Sequence, residues 1–347
     1  MTSCYPLLFE PILKQKVWGG RRLARFGKSL PTDDNVRIGE SWELADLATT
    51  SLSGGGGDAA HSVIANGALA GQTIADAMRL WRHRLLGQEI YQRQRARYNS
   101  ESPPFPLLLK FLDAGEHLSV QVHPSPAYAA THPEAHLKTE SWFVLDAEPM
   151  SNTEPLIFSG LRPEVDEHAL RDMITSGRVR DALLSHPAVP GQCHTLPSGT
   201  VHALGAGVLV AEVQTASDTT FRLYDWTREY SRPPRELHLD QAMQCITFFA
   251  PPPNEPTSAS KTDSVSRLAE TDFYTIDELR FHAGGHRIED ARCYALMGVA
   301  GSGTVEAPDA EPVSIGAGTT LLIPAGCAHG TSICGEPHLR VLRIALR

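Results

Sequence analysis

Two stretches of the chain share one spacing, and that repetition narrows the folds open to it. Gly191 is followed after five residues by Pro197-Ser198-Gly199 and, two residues later, by His202. Gly318 is followed after five residues by Pro324-Ala325-Gly326 and, two residues later, by His329. Four fixed positions recurring in one chain imply two related β-units, each closing a strand with a Pro-x-Gly turn. Between them, residues 250–266 are rich in Pro and Ser and have no hydrophobic period, which marks a linker. The expected organisation is a first domain over 1–249, a linker over 250–266 and a smaller β domain over 267–347. A length of 347 residues suits two domains.

The rest of the pattern is short apolar or alternating runs closed by glycine and proline, best seen at 107–112, 117–123, 141–145, 207–214 and 219–224. Two segments have helical spacing instead. Residues 73–98 carry Ile74, Ala77, Met78, Trp81, Leu85 and Leu86 among many arginines, and 164–185 carry Leu170, Ile174, Val179, Leu183 and Leu184. The fold class expected is therefore mainly β with helical excursions. A run of four glycines at 54–57 reads as a surface loop.

Charge excludes some partners. Lys plus Arg is 31 against 40 Asp plus Glu, a net charge of −9. Nucleic acid and anionic membranes need a basic surface, so neither is expected, whereas a small phosphorylated ligand needs only a few cations in a cleft. No run approaches the ~20 apolar residues of a membrane span, and the first residues lack the basic start of a signal peptide. The six cysteines form no Cys-x-x-Cys pair and read as free thiols in a reducing compartment. A cytoplasmic location and a monomer or homodimer are the expectations.

Chemistry concentrates between 117 and 202. With strand period two, His117, Ser119, Gln121 and His123 would share one face, opposite Leu118, Val120 and Val122, and Pro124 would end the strand. Lys138 and Glu140 alternate in the same way, and His202 follows the first Pro-x-Gly turn. A single histidine on a strand is more often an ordinary residue than a ligand, and the chain has 15. The combination is more telling. Gln121, His123, Glu140 and His202 offer two imidazoles, a carboxylate and an amide oxygen, a set suited to Zn²⁺ or another divalent ion with one position left open. Two short motifs placing ligands inside a jelly roll resemble the cupin pattern. His329 lacks an upstream partner set, so the second barrel is expected to be metal-free.

The resemblance becomes specific over several ordered motifs. They are Val17-Trp18-Gly19-Gly20, Gly39-Glu40-Ser41-Trp42-Glu43, Pro106-Leu107-Leu108-Leu109-Lys110 and Leu118-Ser119-Val120-Gln121-Val122-His123-Pro124. Lys138-Thr139-Glu140, Pro197-Ser198-Gly199-Thr200-Val201-His202-Ala203 and Ser217-Asp218-Thr219-Thr220-Phe221-Arg222 follow. Together they resemble class I mannose-6-phosphate isomerase in its short bacterial form, a cupin family, through most of the chain.

That resemblance implies metal ligation by Gln121, His123, Glu140 and His202, and a cleft holding Arg222, Lys138 and Glu212 as catalytic candidates. Ser119 and Lys110 would bind substrate. The implied reaction interconverts mannose 6-phosphate and fructose 6-phosphate through a cis-enediol, with Glu212 or Lys138 moving the proton. Alternation supports two of these placements, since Glu212 pairs with Gln214 on one strand face and Arg222 with Tyr224 on another. An iron-dependent cupin oxygenase would favour a drier, more apolar pocket than a face carrying Ser, Gln, Lys and Arg. A sugar-phosphate binding protein would bind without turnover.

Overall fold

A computed structural model describes residues 3–50, 57–132, 134–150, 153–250, 255–260, 262–282 and 284–347. The glycines at 54–56 and linker residues 251–254 and 261 lie outside the described residues. The architecture is mainly β, as the alternation implies, with two double-sheet units. In the first unit a seven-stranded antiparallel sheet runs Thr257–Ser258, Gln192–Leu196, Glu140–Ala147, Val208–Thr215, Leu107–Asp113, Ile38–Leu44 and Ile12–Gly20. Facing it is a five-stranded sheet of Leu183–Pro187, Leu156–Leu161, His202–Leu204, Val120–Val122 and Phe221–Tyr224. Inward side chains from both, among them Leu112, Val144, Ile157, Leu204 and Val210, form one core. This is a cupin-like jelly roll. The second unit stacks a six-stranded sheet and a four-stranded one.

Alternation along three neighbouring strands gives the first barrel a dry end and a polar end. Val208, Val210, Glu212 and Gln214 point inward from one strand, Leu112 and Lys110 from the next, and Val144, Trp142 and Glu140 from the third. The register sets Glu212 opposite both Lys110 and Trp142, and Gln214 opposite Glu140. Apolar side chains therefore align at one end and charged or amide side chains at the other. The outward faces of the same strands are mainly apolar, with Ser141 as a polar exception whose hydroxyl lies 3.1 Å from Tyr274 Oη of the second unit. Leu107, Leu109, Phe111, Phe143, Ala211 and Val213 join a core shared with the second unit. A sheet covered on both sides is a firm base for a site.

The units are laced by strand exchange. Leu7–Leu8 pairs with Leu321 and Leu322 of the second unit, and Thr257–Ser258, inside the expected linker, pairs with Gln192 and Cys193 of the first. The helical segment expected at 73–98 is three helices, Ile74–Trp81, His83–Leu86 and Gln88–Tyr98. Left-handed backbone at Arg82 (φ 48°) and Gly87 (φ 86°) breaks the ladder twice. Residues 164–185 likewise divide into helices Glu167–Thr175 and Val179–Ala182, with the strand Leu183–Pro187 beginning directly after. Among the described residues no helix is long and apolar enough to cross a membrane, and all six cysteines are free.

The repeated motif builds matching strands but different turns. Gly191 (φ 92°) and Gly318 (φ 82°) both need left-handed backbone ahead of a strand that ends at proline. After the proline the first copy turns through Gly199 at φ 84° and buries His202. The second copy instead forms a helical turn, Ala325–Ala328, which leaves His329 exposed.

One buried ion pair anchors the first barrel's wall. The Asp113 carboxylate accepts the Arg22 backbone N–H at 2.6 Å and its Nε at 2.8 Å, with Nη2 2.7 Å away. Arg22 Nη1 donates to the Gly207 carbonyl at 2.7 Å. Removing one partner strands a buried charge, so Asp113→Ala should cost about 3–5 kcal/mol in denaturant unfolding. A loss below about 1 kcal/mol would show that the pair is not an anchor.

Candidate metal centre

His123 follows the strand Val120–Val122, Glu140 opens Glu140–Ala147 and His202 opens His202–Leu204. Their ligand atoms lie within 4.8 Å of one another, and none of the three is more than 1% exposed. Each imidazole is oriented from behind. His123 Nδ1 is 2.9 Å from the Thr219 carbonyl and His202 Nδ1 is 2.8 Å from the Thr200 carbonyl. A carbonyl only accepts, so Nδ1 carries the proton in both rings and each Nε2 presents a lone pair. Those lone pairs face Glu140, at 3.4 Å from His123 to Oε2 and 3.0 Å from His202 to Oε1.

Acceptors facing acceptors in a buried site are unfavourable unless a cation lies between them. His123 Nε2 and both Glu140 oxygens have no hydrogen-bond donor. Lys138 Nζ stands 2.7 Å from Oε2 as an ionic contact without hydrogen-bond geometry. Burial, helped by the Lys138 charge, pushes His123 down to about 3, so the ring is neutral and ready to ligate. Burial opposes ionisation of Glu140, but the adjacent Lys138 ammonium outweighs it and holds the carboxyl well below its usual range. Gln121 Nε2 donates to His202 Nε2 at 3.2 Å, which places the carboxamide at the cluster as its fourth group; turned over, its oxygen would face the ion instead. Two imidazoles, a carboxylate and an amide fit a divalent ion.

Gln121 and Lys138 also line an open cleft at the polar end of the barrel. Ser119, Lys110, Glu212 and Arg222 line it too. Glu212 accepts from Trp142 Nε1 at 2.9 Å and pairs with Lys110 at 3.0 Å. Burial nevertheless raises its carboxyl above the ordinary range. Lys110 is shared, lying 3.7 Å from Glu40, which Lys16 meets at 3.2 Å. Burial opposes the Glu40 charge, yet Lys16, Lys110 and the Trp42 N–H bring it down to about 2. Arg222 donates from Nη1 to the Glu236 carbonyl at 2.7 Å, while its buried Nε has no partner. Burial and the neighbouring Arg235 lower it to about 10, so it remains charged. Five basic side chains (Lys16, Lys110, Lys138, Arg222, Arg235) meet three carboxylates (Glu40, Glu212, Asp218) in the lining. A chain with net charge −9 thus builds a locally cationic cleft.

The structure brings Gln121, His123, Glu140 and His202 to one point and Ser119, Lys110, Lys138, Glu212 and Arg222 around one cleft. Two expectations differ. The strand predicted from 117 to 123 is only Val120–Val122, and His117 turns away to pack on Trp226 and Phe158 while accepting the Ala206 N–H. Tyr224 does not share the face of Arg222, because a bulge between them sends Leu223 and Tyr224 to the same outer core. Lys16, Glu40, Trp42, Asp218 and Arg235 were not singled out as site residues. Glu40 and Trp42 could have been, since they alternate on the inner face of Ile38–Leu44; Arg235 carries no such signal, because it lies outside regular structure.

Comparison with known proteins bears on this arrangement. Residues 7–149 match the family model for the catalytic domain of type I phosphomannose isomerase. The chain is 33% identical over 300 residues to the mannose-6-phosphate isomerase ManA of Bacillus subtilis, covering 85% of each. It is 31% identical over 328 residues to the mannose-6-phosphate isomerase of Streptococcus mutans, covering 92% of each. The crystal structure of the mannose 6-phosphate isomerase from Bacillus subtilis superposes with a TM-score of 0.76 at 27% identity, over 99% of both chains.

The orphaned lone pairs generate a direct test. Chelator-stripped protein given a divalent ion at a hundred times its dissociation constant should gain about 2.7 kcal/mol of stability. Glu140→Gln should abolish that gain, and an unchanged gain in the variant would remove Glu140 from the ligand set.

Proposed function

The chain belongs to the type I phosphomannose isomerase family, and from that premise we infer that it interconverts mannose 6-phosphate and fructose 6-phosphate in the cleft beside His123, Glu140 and His202. The observation that carries this reading is the convergence of three buried ligand atoms without donors, His123 Nε2 and both Glu140 oxygens, with a cationic cleft on one barrel end. Gln121, His123, Glu140 and His202 would hold the ion, Zn²⁺ being the first choice for this donor set, and when bound it supplies positive charge that polarises the sugar oxygens.

Aldose–ketose isomerisation moves a proton between C2 and C1 through a cis-enediol, so the chain must provide a base and hold the developing negative charge. Glu212 is our assignment for the base. Its burial keeps the carboxyl nearer neutrality than a surface glutamate, and the Trp142 N–H fixes one oxygen while leaving the other beside Lys110. Lys138 keeps Glu140 ionised and adds charge at the cleft wall. Arg222 lies in register with Gln121 and lines the same cleft, where it would stabilise charge on the enediol oxygen. Ser119 and Lys110, which line the cleft, would bind the sugar hydroxyls.

Conversion of mannose 6-phosphate to fructose 6-phosphate should vanish with chelator and return with zinc. Folded, zinc-replete protein that converts neither sugar phosphate would reject the reading. Glu212→Gln should keep its metal and lose on the order of 10²–10⁴-fold in kcat. The sign of the pH effect follows from the raised carboxyl: the base is lost as pH falls through it. The acid limb of kcat/KM should therefore lie above the ordinary glutamate value of about 4.3. A limb at or below that value would exclude Glu212 as the base.

A further inference from the structure

After Arg222 the chain makes a strap, residues 225–238, whose construction the isomerisation itself does not explain. Two non-glycine residues in it, Trp226 (φ 52°) and Ser231 (φ 50°), hold left-handed backbone on either side of the short helix Thr227–Tyr230. Such conformations are costly and persist only where the surroundings over-determine them, commonly beside functional sites. Here the surroundings do so. The Trp226 indole N–H donates to the Leu118 carbonyl at 2.7 Å, and its ring lies 4.8 Å from that of His117.

The strap grips Arg222 at both ends. The Arg222 backbone N–H donates to His238 Nδ1 at 3.1 Å, and its carbonyl accepts the His238 N–H at 2.8 Å. The Glu236 carbonyl accepts Arg222 Nη1. That carbonyl follows Arg235, whose Nε donates to Asp225 Oδ2 at 2.8 Å and whose Nη2 contacts Oδ1. Asp225 is only 4% exposed, and Arg232 Nη2 reaches the same Oδ1 at 3.2 Å.

We propose that Asp225 is a positioning residue of the isomerase: its clasp on Arg235 fixes the Glu236 carbonyl and thereby aims the Arg222 guanidinium into the cleft. Electrostatics supports the same role. Arg222 and Arg235 stand together in the cleft lining, and two neighbouring guanidinium groups repel unless a carboxylate lies beside them. Holding the fold alone would not require this clasp, because Arg232 already ties the strap to Glu116 and to the His117 carbonyl. The inference rests on the reading that Arg222 acts on the substrate.

A double-mutant cycle on the zinc-loaded full chain tests it. Asp225→Asn should lower kcat on the order of 10–100-fold, with KM changing less and zinc content unchanged. In an Arg222→Ala background the same change should cost less than about threefold, since no guanidinium is left to aim. Wild-type kcat in Asp225→Asn, or equal losses in both backgrounds, would overturn the proposal and leave Arg222's own role intact. Wild-type kcat in Arg222→Ala alone would overturn the Arg222 reading and, with it, this one. Should Asp225→Asn fail to fold, Arg235→Met cuts the same clasp while Arg232 still neutralises Asp225, and the same pattern of losses is expected.

Discussion

Glu140 is a fully buried carboxylate facing two imidazole nitrogens that have no proton to offer it, and much of the first barrel is arranged around that contact. Left alone, the cluster would be a substantial cost to folding. Lys138 offsets part of it by charge, and the carbonyls of Thr219 and Thr200 fix both rings so that their lone pairs converge. The tautomers are therefore set by backbone, not by the ligand. Rings held from behind need little reordering when an ion binds, which raises affinity for the same donor set.

Rigidity at that point depends on what lies behind the seven-stranded sheet. Its outer face packs into the core shared with the second unit and the helices of 74–98. Lys28 ties the two units, pairing with Glu43 at 2.8 Å and donating to the Gly318 carbonyl at 2.7 Å. The second unit thus bears on the site from a distance, by covering the outer face of the strands that carry Lys110, Glu140 and Glu212. Strand exchange through Leu7–Leu8 and Thr257–Ser258 makes the two units mutually dependent.

The cleft shows how local charge departs from the whole. Lys16, Glu40, Lys110 and Glu212 alternate in sign along one wall, so each buried charge has an opposite neighbour. On the other wall Arg222 and Arg235 stand side by side, with Asp225 behind them. One wall is internally compensated, whereas on the other the buried Arg222 Nε has no partner. That asymmetry gives an anionic ligand a preferred orientation, with its negative charge toward the arginine wall.

Much was legible in the chain itself. Period-two alternation predicted that Gln121, Glu140, Glu212 and Lys110 sit on strands, and the repeated Gly-x5-Pro-x-Gly-x2-His spacing foretold two β-units with His202 at a turn. Such features are local, because strand pleat and glycine conformation act within a few residues. Where alternation was extended too far it failed. His117 left the expected face because the strand begins only at Val120, and Tyr224 left it because a bulge follows Arg222. Which strands became neighbours, that Glu40 would meet Lys110 and that Arg235 would fold back beside Arg222 were decided only in three dimensions. Those contacts join residues far apart in sequence or outside regular structure, and long-range pairing is chosen by the burial of whole faces, which no short stretch of sequence encodes.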